Sequence, residues 1–248
     1  MKKRLDLLLV ERGLAESRTR AQALVMEGKV RVDGQVETKA SRQVKAEVEV
    51  EVEAPPRFVS RGGEKLEGAF EKFSLAAEGR ICLDVGSSTG GFTDCLLQHG
   101  AKKVMAVDVG TNQLAYKLRM DPRVWVKENY NARFMKSADL PDVPTLAVTD
   151  VSFISLTYVI PVIARISRPG THVVLLVKPQ FEVGRGNLGK NGIVDDPQLR
   201  EQALLRVSEC AQNHAMTGCG TAVSPIEGTF GNVEYLLYLR TGQVRTAQ

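Results

Sequence analysis

The hydrophobic and polar positions change period along the chain. Leu5, Leu8, Leu9 and Val10 recur at helical spacing, and "ESRTRAQALVMEG" repeats that spacing with Ser17 placed to cap its start and Gly28 to stop it. From Lys29 the period falls to two: "KVRVDGQV" alternates about an Asp33-Gly34 turn, and "AEVEVEVEA" alternates almost without a break. Two helices followed by short strands make a unit of about 55 residues, near the lower limit for independent folding. "EAPPRFVSRGG" then brings two prolines and two glycines together, which predicts a linker over 55–63 between a unit at 1–54 and a larger one at 64–248.

From Arg80 onward, short apolar runs alternate with helical lengths: "RICLDVG", "KVMAVDVG", "VWVKEN", "TLAVTDVSF" and "THVVLLVKPQF". Runs with two apolar faces, spaced by helices, predict a mainly parallel, doubly wound sheet. Between the fourth and fifth runs, "SLTYVIPVIARISRPG" reads as a helix with a proline irregularity and a Pro-Gly stop. At the end of the chain, "MTGCGTAVSPIEG" and "NVEYLLYLR" leave room for no more than a tight connection, so these strands should pair antiparallel. The expected fold is α/β, a seven-stranded sheet whose last strand runs backwards, which is the Rossmann-like methyltransferase architecture.

Composition changes this picture little, and the placing of charge changes it more. Of 248 residues 43% are hydrophobic and 25% charged, ordinary for a globular protein. The net charge is +4 and the pI about 8.9. Residues 1–45 hold eleven Lys and Arg against six Asp and Glu, a local excess of +5 that favours phosphate contacts. The four cysteines form no C-x-x-C pair; Cys95 with His99 and Cys210 with His214 each supply half of a tetrahedral site, so reduced thiols and no metal are expected. The apolar run in "MKKRLDLLLVERG" is short and cut by Asp6, Glu11 and Arg12, which does not fit a signal peptide. No stretch approaches the roughly 20 apolar residues of a membrane helix. The expected location is the cytoplasm, away from a membrane.

The turn after the first run of the sheet, "LDVGSSTGGFTD", is the first candidate for chemistry. Ligands of doubly wound sheets bind outside the carboxyl ends of the strands. A P-loop requires a lysine after its last glycine, but Phe92 and Thr93 follow Gly91; a dinucleotide turn requires a second glycine where Ser88 stands. Asp84, Gly86, Ser87, Gly90, Gly91 and Phe92 instead fit the D-x-G-x-x-x-G-G-F form used for S-adenosyl-L-methionine. Asp108 and Val109 end the next run, about 20 residues on, where an acidic side chain accepts from a ribose diol. Asn129 or its neighbours, after the third run, are candidates for adenine contact. Asp150 follows the fourth run and Lys178 the fifth, and both should project into the same crevice.

The segment "RLDLLLVERGLAESRTRAQALVMEGKVRVDGQV" resembles the S4-type RNA-binding module, with Arg4, Ser17, Arg18, Ala21, Gly28, Val30, Val32 and Gly34 at its pattern positions. That resemblance implies RNA contact through Arg4, Arg18, Arg20, Lys29 and Arg31. The rest of the chain, from "VSRGGEKL" onward, resembles the FtsJ-type ribose methyltransferases, whose catalytic K-D-K-E tetrad matches Lys65, Asp150, Lys178 and Glu234. In that set Lys178 would act as base toward a 2′-hydroxyl, Asp150 would hold it, and Lys65 and Glu234 would orient the ribose. The glycine-rich "FEVGRGNLGKNGIVDD", with Arg185 and Lys190, reads as a mobile substrate loop beside Lys178.

The joining of the two modules resembles the TlyA, or hemolysin-A-like, family. It implies 2′-O-methylation of cytidine in 16S or 23S ribosomal RNA, with ribosomal subunits as partners. The competing expectations are a hemolysin acting on membranes and a non-catalytic ribosome-binding or assembly factor.

Overall fold

The computed structural model describes residues 2–54 and 56–242. It divides after Pro56 into two compact units.

The first unit holds β1 (Lys2–Arg4), α1 (Leu5–Glu11), α2 (Arg18–Met26), β2 (Val30–Val32), β3 (Gln35–Glu37), β4 (Gln43–Lys45) and β5 (Val50–Val52). Ser17 Oγ accepts the Arg20 N–H at 3.2 Å and caps α2, as its hydroxyl and spacing required. Asp33 and Gly34 both take positive φ, +51° and +76°, the primed turn that matches the strand twist of the β2–β3 hairpin. β5 pairs with the other edge of β2, and β1 pairs with β4, all antiparallel. The alternating run from Ala46 to Ala54 thus forms a strand over Val50–Val52 alone, because β2 offers it a partner three residues long. Leu5, Leu8, Leu9, Ala21, Leu24, Val25, Val30 and Val32 close the core.

The second unit begins at Arg57. The expected linker over 55–63 is corrected in its second half: Phe58 is buried, and α3 (Gly62–Phe73) already includes Gly62 and Gly63. Burial of the Phe58 ring outweighs the loop bias of the neighbouring glycines. There follow β6 (Ile81–Val85), α4 (Gly91–Gln98), β7 (Lys103–Val107), α5 (Tyr116–Arg119), β8 (Val124–Lys127), β9 (Leu146–Thr149), α6 (Ile160–Ile166), β10 (His172–Val177), α7 (Pro197–Asn213), β11 (Met216–Val223) and β12 (Tyr235–Thr241). The sheet order is β11-β12-β10-β9-β6-β7-β8, and β12 runs antiparallel to both of its neighbours. The expected helix before β10 is shorter than its apolar pattern. Pro161, which lacks an N–H, fits the first turn of α6, and a separate 3₁₀ turn covers Leu156–Tyr158.

Strand alternation divides the core into two layers. Leu83, Val85, Met105 and Val107 pack with α6 and α7, whereas Cys82, Val104 and Ala106 pack with Leu66 and Phe70 of α3 and Phe92 and Leu96 of α4. This sandwich fixes the carboxyl edge of β6, β7, β9 and β10 as one rim.

Candidate active site

Every candidate from the second unit except Lys65 and Asn129 lies on that rim or on the segments leading from it. Gly86 leaves β6 with φ +85°, and a Cβ there would stand 2.5 Å from the Asp150 carbonyl oxygen. The turn from β6 can therefore lie against the end of β9 because residue 86 has no side chain. Gly90, at φ +99°, then reverses the chain into α4. Asp84 is buried beneath the turn: its Oδ2 accepts the Thr93 hydroxyl at 2.7 Å, and its Oδ1 has no protein partner. Burial pushes its carboxyl up to about 7, against the lowering effect of the Thr93 hydrogen bond. Ser87 Oγ is likewise buried without a partner, beside a small cavity of about 90 Å³ that Ser60, Gly62, Gly91, Phe92 and Asp150 also line.

A larger cavity, of about 530 Å³, opens along β6 and β7. Asp108 lines it and is fixed by two backbone donors, Ser88 N–H at 2.8 Å and Gly110 N–H at 2.6 Å. Val109, exposed at its mouth, and Gln113 lie beside it. The segment 110–114 is held from beneath by Glu128, which accepts from the N–H groups of Asn112, Gln113 and Leu114 and from Arg119. Burial raises that carboxyl, but these four donors outweigh it and hold it at about 2. Asn129 turns away at φ +51° and is not part of the lining; Tyr130, Asn131, Ala132 and Arg133 are. A buried carboxylate at the strand end, a glycine turn and two unpartnered buried oxygens suit a nucleoside with a charged amino-acid tail. S-adenosyl-L-methionine fits these residues.

A second cavity, of about 510 Å³, shares Ser152 and Phe153 with the first. Lys65, Lys178 and Glu234 line it, and Asp150 lines the first cavity. The four residues form two ion pairs: Lys178 Nζ to Asp150 Oδ1 at 2.5 Å, and Lys65 Nζ to Glu234 Oε2 at 2.6 Å. Lys178 also donates to Ser152 Oγ at 3.0 Å. Lys65 sits in the first turn of α3, and Glu234 immediately precedes β12, whose Tyr235 pairs with Val177. Sequence reasoning missed Ser152, Phe153, Gln180 and Phe181. No sequence signal marks them: Phe153 is 92% exposed and holds φ +65°, a cost for a bulky residue that only the structure shows.

The loop over 181–196, expected to be mobile, is anchored near its end. Asn232 is buried, its Oδ1 accepts the Val194 N–H at 3.0 Å and its Nδ2 donates to Gly192 O at 3.2 Å, while Val194 is itself buried. Arg185 lines the second cavity and Lys190 does not.

In the first unit, Arg4 and Arg18 both donate to the buried Asp6, at 2.8 and 3.2 Å. Lys29 pairs with Glu27 at 2.7 Å, and Arg31 donates to Gly34 O at 3.2 Å. Arg20 makes no side-chain ion pair among the described residues. Among those residues no group of three or more metal-ligating side chains forms; His99 faces Glu67 and Phe70, and Cys95 is buried.

The sheet order, the reversed last strand and a glycine turn facing Asp108 define a Rossmann-type methyltransferase domain. The chain belongs to the FtsJ-like methyltransferase family, whose model matches residues 58–241, and an S4 domain model matches residues 3–50. It is 47% identical over 240 residues to the 16S/23S rRNA (cytidine-2′-O)-methyltransferase TlyA of Mycobacterium tuberculosis, covering 96% of this chain and 90% of the relative. It is 44% identical to Hemolysin A of Brachyspira hyodysenteriae, over 95% of this chain and 98% of that protein. The solved structure of a candidate hemolysin from Streptococcus thermophilus matches with a TM-score of 0.75 and 44% identity, over 98% of this chain and 89% of the other.

Proposed function

We propose that this protein transfers a methyl group from S-adenosyl-L-methionine to the 2′-hydroxyl of a cytidine in ribosomal RNA, with ribosomal subunits as its substrate and the cytoplasm as its place of work. The observation that carries the reading is the pair of ion pairs, Lys178–Asp150 and Lys65–Glu234, set at the junction of two cavities. One cavity suits the cofactor and the other an acceptor.

Asp84, Gly86, Ser87, Gly90, Gly91 and Phe92 would form the turn that holds the cofactor's amino-acid end, with Asp108 and Val109 at its ribose and Tyr130 to Ala132 near the adenine. When bound, the cofactor supplies an electrophilic methyl group on a sulfonium. A ribose hydroxyl is a poor nucleophile at neutral pH, so the acceptor needs a positioned proton acceptor. Lys178 is the proposed base toward the 2′-hydroxyl, and Asp150 and Ser152 fix the position of its Nζ. Lys65 and Glu234 orient the ribose from α3 and from the start of β12. Displacement at carbon is in line, so holding the oxygen on the axis of the breaking bond supplies much of the acceleration. In the first unit, Arg4, Arg18, Arg20, Lys29 and Arg31 form the proposed RNA-contacting set, Arg20 with the fewest competing contacts.

The name hemolysin among the relatives raises a membrane reading. No described helix is long and apolar enough to cross a membrane. A non-catalytic ribosome-binding role leaves two desolvated ion pairs on a cavity wall without a purpose. Labelled methyl from S-adenosyl-L-methionine should enter unmodified ribosomal subunits with the wild-type protein and not with Lys178→Ala. Unchanged methylation by that variant rejects the catalytic assignment. Mass spectrometry of digested RNA would then identify the modified ribose.

A further inference from the structure

Two loops meet at the junction of the cavities: residues 150–156 after β9, and residues 178–182 after β10. They are joined at both ends by contacts of opposite polarity. At one end the first loop supplies the carboxylate, Asp150, and the second supplies the cation that pairs with it, Lys178. At the other end the second loop supplies the carboxylate, Glu182. Its Oε2 accepts the Ser155 hydroxyl at 2.6 Å, and its Oε1 accepts the Leu156 N–H at 2.8 Å.

Between the two clamps lie Phe153 and Phe181, their ring centroids 5.3 Å apart. Phe153 stands almost fully in solvent with a left-handed backbone, a conformation that persists where the surroundings fix it from both sides. Glu182 is 2% exposed, and its own carbonyl accepts from Arg206 of α7 at 2.8 Å, so the distal clamp is anchored in the helical layer. A carboxylate withdrawn this far from water carries a desolvation cost, offset here by donors that come from the facing loop.

We propose that Glu182 is a positioning residue, which holds Phe153 and Phe181 as an aromatic platform for the nucleobase attached to the reacting ribose. It touches neither cofactor nor acceptor and acts through Phe153. The inference rests on the ribose-methylation reading given above, since that reading brings a nucleobase to this junction. Stacking on an exposed ring is worth about 1–3 kcal/mol per base, which corresponds to a roughly 5- to 150-fold effect on the use of RNA.

The test is a double-mutant cycle on the full chain, with unmodified ribosomal subunits as substrate. Glu182→Ala should lower kcat/KM for the subunits by at least fivefold while the cofactor Kd stays within about threefold of wild type. Phe153→Ala should give a similar loss, and the double variant should be no worse than the poorer single. Glu182→Gln keeps an acceptor for Leu156 N–H and a donor for Ser155 Oγ, so it should recover most of the activity. Ser155→Ala should lose part of it from the opposite loop without touching residue 182. Multiplicative losses in the double variant, or a cofactor affinity that falls in parallel with kcat/KM, overturn the inference. Wild-type kinetics in both Glu182→Ala and Ser155→Ala overturn it while leaving the methylation reading intact. A wild-type protein that methylates no subunit rejects that reading, and this inference with it.

Discussion

Replacement of Lys65 by methionine separates what the Lys65–Glu234 pair does for the fold from what it does for the reaction. Both partners are withdrawn from water, with side chains 10% and 2% exposed, and they meet at 2.6 Å. Lys65→Met leaves Glu234 as an uncompensated charge in the second unit. Breaking a buried pair in this way costs about 3–5 kcal/mol, and the slight exposure of Lys65 argues for about 3. For a unit of this size each kcal/mol lowers Tm by about 2–4 °C, so a fall of roughly 6–12 °C is expected. Adding Glu234→Met removes the stranded carboxylate. Replacing both partners with apolar groups of similar length is close to neutral, so the double variant should melt near wild type.

Methylation should not return with the stability. Preorganised charges at a reacting centre are typically worth about 10²- to 10³-fold in rate, and the double variant has lost both. Thermal unfolding followed by circular dichroism, with methyl transfer to ribosomal subunits measured on the same preparations, reads both quantities. If Lys65→Met melts within about 2 °C of wild type, the pair is not desolvated as the structure has it, because a solvated pair is worth no more than about 1 kcal/mol. If the double variant methylates at the wild-type rate, Lys65 and Glu234 are structural residues and the proposed tetrad reduces to Asp150 and Lys178.

Further outcomes follow from other elements. Gly86→Ala puts a Cβ 2.5 Å from the Asp150 carbonyl at φ +85°, so cofactor affinity measured by calorimetry should fall at least tenfold; unchanged affinity would mean that the turn does not hold the cofactor. Asp108→Ala removes a charged acceptor worth about 1.5–3 kcal/mol and should weaken cofactor binding roughly 10- to 100-fold; it also leaves the Ser88 and Gly110 N–H groups without their acceptor, so Tm should fall as well. Asp6 is held well below the ordinary carboxylate range, mainly by its hydrogen bond from Arg4, with Gln22 and Arg18 adding to it against the opposing effect of burial. A depressed folded-state value contributes stability above the unfolded pKa of about 4 that is lost as pH falls through the folded value, so urea midpoints of the first unit should drop between pH 5 and pH 3, and Asp6→Asn should flatten that slope. A fragment starting at Arg57, which retains the buried Phe58, should bind cofactor like the full chain and methylate subunits far less well; a cut after residue 58 should lose both.

The parts of this site that could be read from sequence are those fixed by periodicity and topology. Asp108, Asp150 and Lys178 each end an apolar run, and residues that end parallel strands share one rim whatever the loops do. The glycine turn was legible because Gly86 and Gly90 stand where the backbone takes positive φ. What the sequence left open depended on contacts distant in sequence. The candidate for adenine contact was Asn129 or its neighbours; the neighbours, from Tyr130 to Arg133, line the cavity, and the backbone N–H of Asn129 donates to Gly110 O. The glycines of 184–192 suggest freedom, but the side chain of Asn232, about 40 residues away, holds Gly192 and Val194 in place. The prolines and glycines of 55–63 suggest a linker, yet Phe58 finds a core to enter. Phe153 carries no sequence signal of its exposure, because alternation cannot tell an apolar residue in a buried strand from one displayed on a strained turn.

Glu234 shows how topology and chemistry are joined. β12 spans seven residues, so its two ends are roughly 20 Å apart at the rise of an extended strand. A last strand parallel to β10 would begin at the opposite rim, and the residue just before it would be removed from the cofactor turn by that length. Because β12 runs backwards, its first residue, Tyr235, pairs with Val177, the residue before Lys178. Glu234 and Lys178 thereby arrive at one rim from opposite chain directions, and α3, packed on the same layer, brings Lys65 to meet Glu234 from the side. The reversal of a single strand thus brings Glu234 to the rim as the residue before a strand, whereas Asp150 and Lys178 reach it as residues that follow parallel strands.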